Sequence, residues 1–301
     1  MYYRRKIIFA LLEKFEKSLT NTEIQKLVFL ITKLQKDKKS YQFVPYLYGC
    51  YSFQLNDDLN AMFKRDMINK IKTDSSNIWS LNNTEEYFHQ LNDVDKKIIL
   101  TVKRKFSQYT ISELIKHTYI KYPFYAINST ILDKMLNAEE KVNVINQKSK
   151  FIKDFTKLFT IGYEGITLEE YLNRLIINDV KILCDVRKNP FSMKRGFSKK
   201  DLKKACESLG IEYVHIPNLG IVSEKRKELN TQKDYNVLFK EYELTVLKEN
   251  VNEIRYVYDL LIKYKRIALT CFEAEYCMCH RSRVSKEIEN VSQGKLKAQH
   301  I

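Results

Sequence analysis

Five of the seven glycines in this 301-residue chain lie in one 59-residue stretch, at Gly162, Gly165, Gly196, Gly210 and Gly220. Average usage of roughly 7% would supply about 21. With only 4 prolines as well, the chain lacks the turn formers that a β-sandwich or propeller needs. The expectation is a helix-rich protein in which each retained glycine has a backbone reason. Only Gly49 precedes residue 160, so the glycines divide the chain into a helical first part and a second part with turns. A hydrophobic content of 44% allows a sizeable core and excludes disorder as the main description.

The net charge is +15, which permits contact with nucleic acid or another polyanion. Lys outnumbers Arg 40 to 12, however, and phosphate and base recognition favour Arg. Lysine as the default surface residue of an AT-rich genome explains the charge as well as a polyanion partner does. After Met1 the basic start runs into an apolar stretch broken by Glu13 and Lys14, with no small-residue cleavage site. No apolar run approaches the ~18 residues of a membrane span. A soluble, cytoplasmic protein without a membrane partner is expected. Six cysteines are too few for a disulfide framework.

The first part reads as helical. Ile7, Ile8, Leu11, Leu12 and Phe15 form one stripe over residues 4–17. Thr20 and Glu23 open a second helix carrying Ile24, Leu27, Val28 and Ile31. Residues 41–53 are aromatic-dense and broken by Pro45 and Gly49, hence extended or turned. Further helices are predicted over 57–72, 92–106 and 111–120, the last stopped by Pro123. The polar stretch 133–157 is taken as a linker. The expected domains are 1–145, mainly helical and winged-helix-like, for nucleic acid or a partner, and 146–301, an α/β catalytic domain.

The second part alternates strand and helix. Strands are predicted at 158–161, 181–187, 211–216 and 266–272. Thr167 with Glu170, and Ser198 with Asp201, cap the first two helices; Gly210 sits at a left-handed helix stop. Residues 232–264 are a long helical stretch, broken once, and 281–290 a final helix. This alternation implies a short parallel, Rossmann-like sheet with right-handed crossovers. The long third crossover is taken to return the chain beside the first strand, giving the order 3-2-1-4.

Ligands of such sheets bind outside the carboxyl ends of the strands. Those ends are Gly162, Tyr163 and Glu164; Asp185 and Arg187; His215; and Cys271 and Glu273, followed by Cys279, His280 and Arg281. Nearly every catalytic residue type falls on one edge. The turn Gly162-Tyr163-Glu164-Gly165 would let a ligand approach the backbone at a helix N-terminus. It is neither G-x-G-x-x-G nor a Walker A, so no nicotinamide cofactor or ATP is expected. Glu164, Asp185 and Glu273 supply carboxylates for acid/base or nucleophilic work. Arg187 and Arg281 suit phosphate. The competing reading is that Asp185 and Arg187 pair with neighbours and hold the sheet end.

Cys271, Cys277, Cys279 and His280 match a zinc site in number. The spacing is not C-x₂-C, and adjacent Cys279 and His280 are awkward in one tetrahedron. No metal and no cofactor are therefore expected. Cys279 beside His280 and Arg281 at a helix start is a candidate nucleophile. Residues 277–283 also fit C-x₅-R, without the glycines of a phosphatase loop.

The blocks Thr160-Ile-Gly-Tyr-Glu-Gly165, Asp185-Val-Arg187 with Pro190, Gly196-Phe197, Gly210-Ile211 through Tyr213, His215, Pro217 and Leu219-Gly220, and Cys271-Phe-Glu273 leading to Cys279-His-Arg281 resemble the domain-of-unknown-function family four-eighty-eight. The likeness spans about residues 157–292. It implies a compact α/β domain whose motif residues meet in one pocket, a prokaryotic setting near DNA repair or defence, and no known reaction. This chain departs from the family pattern with Ile221 where a second glycine commonly follows, and with the extra Cys277. In the first part, Gln25 to Leu30 and Phe43 to Ser52 resemble small helical modules of the antitoxin and phage-associated type, which bind proteins or DNA. Residues 41–53 can stack on bases or pack in a core.

The expected function is an enzyme that processes nucleotides or modified nucleic-acid bases, by hydrolysis at a glycosidic bond. Its catalytic residues would be Glu164, Asp185, Glu273 and Cys279. Gly162, Tyr163, Gly165, Arg187, His215, His280 and Arg281 would bind substrate. The alternatives are a non-catalytic nucleotide-sensing or partner-binding module, and a cysteine-dependent transferase or phosphatase.

Overall fold

The structure, a computed structural model, describes residues 1–16, 18–74, 76–82, 86–226 and 231–301. The chain forms two compact units, Met1–Lys150 and Phe151–Ile301.

In the first unit, α1 (Tyr3–Phe15) is followed by β1 (Leu19–Thr20) and α2 (Asn21–Leu34). Residue 17, the last of the helix expected over 4–17, lies outside the described residues. The Glu23 backbone N–H donates to the Thr20 hydroxyl at 3.2 Å, and the Thr20 N–H donates to the Glu23 carboxylate at 2.8 Å. Thr20 is the capping residue expected there, and with Glu23 it forms a full capping box. β2 (Val44–Tyr46) and β3 (Gly49–Tyr51) form an antiparallel hairpin. α3 (Phe53–Phe63) is capped by Ser52.

The helix expected over 57–72 is corrected. It starts at Phe53 and stops at Phe63, and the chain turns through Asp66 at φ 53°. It then enters β4 (Ile68–Lys72), which pairs antiparallel with β5 (Asn77–Leu81) in the order β1-β5-β4. Pairing with β5 overrides the weak local helical pattern, and it places Ile68 and the fully buried Trp79 on the core. α4 (Asp93–Phe106), α5 (Ile111–Lys121), α6 (Leu132–Met135) and α7 (Ala138–Ser149) complete the unit. The stretch read as a linker is thus largely helix; Asn137 and Glu140 form its capping box.

The aromatic segment splits in the way its pattern allowed. Tyr41, Phe43 and Cys50 are core residues, while Tyr48 is exposed. Two buried polar anchors tie the unit together. Asp58 accepts from Arg4 Nε at 2.6 Å and Arg5 Nε at 2.9 Å. Lys26 Nζ donates to the carbonyls of Tyr48 and Cys50.

The second unit runs β6 (Lys157–Gly162), α8 (Leu168–Ile177), β7 (Ile182–Asp185), α9 (Lys199–Glu207), β8 (Glu212–His215), α10 (Gln232–Tyr242), α11 (Val251–Tyr264), β9 (Arg266–Cys271), α12 (Arg281–Val291) and β10 (Gln299–His300). Every pairing is parallel, and the order is β10-β6-β9-β7-β8. Thr167 and Ser198 cap α8 and α9 as expected. A π-helical turn, Glu243–Leu247, extends α10.

The expected strand order 3-2-1-4 is corrected. β9, the fourth strand, inserts between the first and second, and a fifth, β10, covers the outer side of the first. All six residues of β9 are buried, the condition of a central strand with neighbours on both sides. Right-handed crossovers are compatible with either order, so alternation alone leaves the choice open. The insertion brings the end of β9 against the ends of both β6 and β7.

Candidate functional site

Two polar clusters occupy the carboxyl edge of the parallel sheet. The first is built on Asp185, the last residue of β7. Its side chain is wholly buried. It accepts from Arg187 Nε at 2.8 Å, from the Arg187 backbone N–H at 3.1 Å and from Tyr213 Oη at 2.6 Å. Arg187 NH1 also donates to Tyr163 Oη at 2.8 Å and to the Phe197 carbonyl at 2.9 Å. Burial by itself lowers the Arg187 pKa; the Asp185 carboxylate outweighs it and holds the guanidinium charge more firmly. The Tyr163 ring stacks on Phe197, with centroids 4.3 Å apart. His215 belongs to the same lattice. Lys199 Nζ can only donate, so His215 Nδ1 accepts from it at 2.9 Å and Nε2–H donates to the Arg187 carbonyl at 2.9 Å.

The second cluster is built on the end of β9 and the start of α12. Cys271 Sγ lies 3.1 Å from Glu273 Oε2 and 3.6 Å from His280 Nδ1. Cys279 Sγ joins them, and one ligand-type atom from each of the four residues lies within 4.8 Å of every other. His280 Nε2 is 2.9 Å from the Val186 carbonyl. That oxygen only accepts, so Nε2 carries the proton and the Nδ1 lone pair faces the thiols.

The loop after β9 is laced to the turn after β6. The Phe272 carbonyl accepts from the N–H groups of Tyr163 at 3.1 Å and Glu164 at 2.9 Å. The Ala274 N–H donates to Glu164 Oε2 at 3.0 Å. Arg281 donates to the carbonyls of Glu273 and Ala274.

All the expected site residues therefore meet on this edge, but several point elsewhere than at a substrate. Asp185 is turned inward and bonded on both oxygens, so the reading that it holds the sheet end describes it better than catalysis does. Arg281 is buried and fastens backbone. The space that Gly162 leaves is filled by protein: an added Cβ would lie 1.9 Å from the Glu273 carbonyl oxygen. Gly165, at φ +77°, has open space beside it. Cys279 is buried, and burial, with Cys271 beside it, pushes its thiol well above the ordinary range. Both effects oppose a nucleophile. Cys277 is exposed and stands outside the cluster. Of the three carboxylates, Glu164 is exposed at the rim and Glu273 is half-buried toward the thiols.

Beside these clusters lies a cavity of about 290 Å³ lined by Tyr163, Arg187, Lys188, Asn189, Phe191 and Phe272 among others. A second, of about 270 Å³, shares Lys188 and Ile221 with it and reaches the π-helical turn. Lys188, Phe191 and Phe272 were missed from the sequence, because a lysine and isolated aromatics after a strand carry no spacing signal. Lys194 was missed as well. Its ammonium donates to the Tyr163 carbonyl; burial lowers its pKa while Glu164 and Glu170 oppose the shift. Gly220 explains part of the loop packing: a Cβ there would meet the Lys188 backbone nitrogen at 2.1 Å.

The fold and this edge define an α/β domain with a Rossmann-like parallel sheet and a clustered carboxyl-end site. Residues 167–288, within the second unit, match the family model described as Domain of unknown function DUF488, and this stretch is similar to that family. The matched stretch includes Asp185, Arg187, His215 and Cys271 through Arg281, and it begins just after the Gly162–Gly165 turn. The chain matches no curated protein. Among the described residues, no helix is long and apolar enough to cross a membrane.

Proposed function

We propose that the second unit is an enzyme that binds a nucleotide or a modified nucleic-acid base and hydrolyses it at the glycosidic bond. The observation that carries this reading is the cavity at the strand ends. It is lined by Phe191 and Phe272 together with the cationic Lys188, with the Asp185-paired Arg187 behind them, a lining that suits a planar base joined to a phosphate. Glu164, exposed on the turn just after the cavity-lining Tyr163 and with Lys194 near it, would move a proton to or from the leaving group or water. Asp185 and Arg187 position the Tyr163 side of the cavity through their mutual bonds. Glu273 is assigned to the thiol cluster instead of to the reaction.

Incubation with nucleosides, nucleotides and DNA carrying modified bases tests the reading. Free base or sugar product is expected, with Glu164→Gln lowering kcat by about 100-fold or more and Lys188→Ala raising KM. Turnover unchanged in Glu164→Gln would remove Glu164 from the mechanism.

A second reading is favoured by one specific observation: with Asp185 buried and Glu273 half-buried toward the thiols, Glu164 is the one exposed carboxylate of the three expected at the strand ends, where two are usual for glycosidic hydrolysis. On that reading the cavity holds the nucleotide without chemistry, and the first unit passes the signal to nucleic acid or a protein partner. The first unit runs α1, β1, α2, the β2–β3 hairpin, α3, β4 and β5, and the sheet order β1-β5-β4 beside three helices supports taking it as winged-helix-like with an inserted hairpin. Tight binding with no product after long incubation would select this reading.

A further inference from the structure

The geometry points to a metal site at the end of β9: Cys271, Cys279, His280 and Glu273 form a closed, four-coordinate site for a divalent zinc-class ion. Two sulfurs, an imidazole nitrogen and a carboxylate oxygen are the donor set of a borderline-soft, tetrahedral ion. Arms of about 2.0–2.3 Å give tetrahedral edges of roughly 3.3–3.8 Å. The Cys271 Sγ to His280 Nδ1 separation of 3.6 Å already matches such an edge, and Cys271 Sγ to Glu273 Oε2 at 3.1 Å is close to one. No pair among the four exceeds 4.8 Å, so small side-chain rotations complete the polyhedron.

A separate observation points the same way. Histidine ligands of metals generally donate the other ring N–H to a carbonyl or carboxylate, which fixes the coordinating nitrogen. His280 does this through Nε2–H to the Val186 carbonyl at 2.9 Å, and its other nitrogen, Nδ1, lies 3.6 Å from the Cys271 sulfur. Cys279 and His280 lie just ahead of α12, with His280 at its N-cap position, and their ligand-type atoms lie within 4.8 Å of each other despite being sequence neighbours. Arg281, buried nearby, supplies charge balance. Two thiolates and a carboxylate around a dication leave one net negative charge.

Cys271, Cys279 and His280 are buried and Glu273 is half-buried, so the site has the closed character of a structural ion. Its effect is to fix the 271–281 segment, which carries Phe272 into the cavity. Binding is a proton-for-metal exchange: each cysteine thiol gives up its proton to solvent as its sulfur coordinates the ion, and nothing is oxidised or reduced. The inference stands whether or not the proposed reaction does.

The full chain, stripped with a chelator and titrated with Co²⁺ and then Zn²⁺, tests it. One ion per chain is expected, with a thiolate-to-cobalt charge-transfer band and the strong visible absorption of a tetrahedral centre, both displaced by Zn²⁺. Cys277→Ser should leave affinity unchanged. Cys279→Ser should weaken it by about 100-fold or more. Should the cysteine variant fail to fold, Glu273→Gln, which alters the half-buried rim, should still lower affinity by about 10-fold or more and shift the visible spectrum. Absence of stoichiometric binding, or binding lost in Cys277→Ser and kept in a Cys271→Ser/Cys279→Ser double variant, would overturn the assignment.

Discussion

Arg187, in the loop just past β7, grips Asp185, the last residue of that strand, through Nε at 2.8 Å to one carboxylate oxygen and 3.1 Å to the other. Both side chains are buried, and Tyr213 and Tyr163 bond the pair from neighbouring elements. Removing one partner strands a buried charge, a loss of about 3–5 kcal/mol. Asp185→Ala is therefore expected to lower the denaturant midpoint by that equivalent, with the slope unchanged. A loss below about 1 kcal/mol, the scale of an exposed pair, would show that the pair does not hold the sheet end.

Close backbone approach, not conformational freedom, explains Gly162 and Gly220. Their missing Cβ positions lie 1.9 Å and 2.1 Å from backbone atoms of Glu273 and Lys188. Gly162→Ala and Gly220→Ala should each cost about 3 kcal/mol or more as the loops are pushed apart. Gly165→Ala has open space and only the left-handed backbone to resist it, about 1–2 kcal/mol. Thermal unfolding of the three variants checks the order. Gly220→Ala should in addition weaken any cavity ligand, because Lys188 moves.

Thiol chemistry separates a cysteine enzyme from a buried cluster. Cys50, Cys184, Cys206, Cys271 and Cys279 are buried and Cys277 is exposed; burial pushes Cys184 up to about 12 and holds Cys50 above its ordinary value. Brief alkylation of the native chain should label Cys277 alone, and Cys277→Ser should abolish the fast phase. Rapid labelling at Cys279, located by peptide mass spectrometry, would revive the nucleophile.

Burial lowers the Lys26 pKa below its ordinary 10.5. Between the lowered value and 10.5 the folded state binds fewer protons than the unfolded state, so this group's stability contribution rises with pH and is lost as pH falls through the folded pKa. Lys26→Met has no such group. The stability advantage of the parent chain over Lys26→Met should therefore shrink as pH falls from about 10 through that window. Denaturant curves at several pH values read it; a gap that widens on acidification would show that Lys26 is held as a satisfied cation.

The legible parts of this protein were the local ones. Thr20 with Glu23, Thr167 and Ser198 capped their helices as read, because a cap needs only a hydroxyl and a backbone three residues on. The four main strands of the second unit were legible because short apolar runs between capped helices leave few other options. The strand ends put the candidate residues on one edge for a similar reason, since the carboxyl edge of a parallel sheet follows from direction alone. Residues 68–72 were misread because a five-residue strand with two lysines has little pattern of its own, and its pairing with β5 lies in another segment.

What the sequence determined by itself was a glycine-punctuated α/β half behind a helical half, and the residues that meet at one edge. Only the tertiary structure decided which way those residues face. Insertion of β9 between β6 and β7 laid Thr270 beside Asp185 and set His280 against Val186, while Tyr213, Tyr163 and the Phe197 carbonyl closed round the Asp185–Arg187 pair. It also brought Glu273, in place of Cys277, to the two thiols and the imidazole. Side-chain direction at a strand end depends on what the next strand places beside it, and that neighbour came from a segment 80 or more residues away.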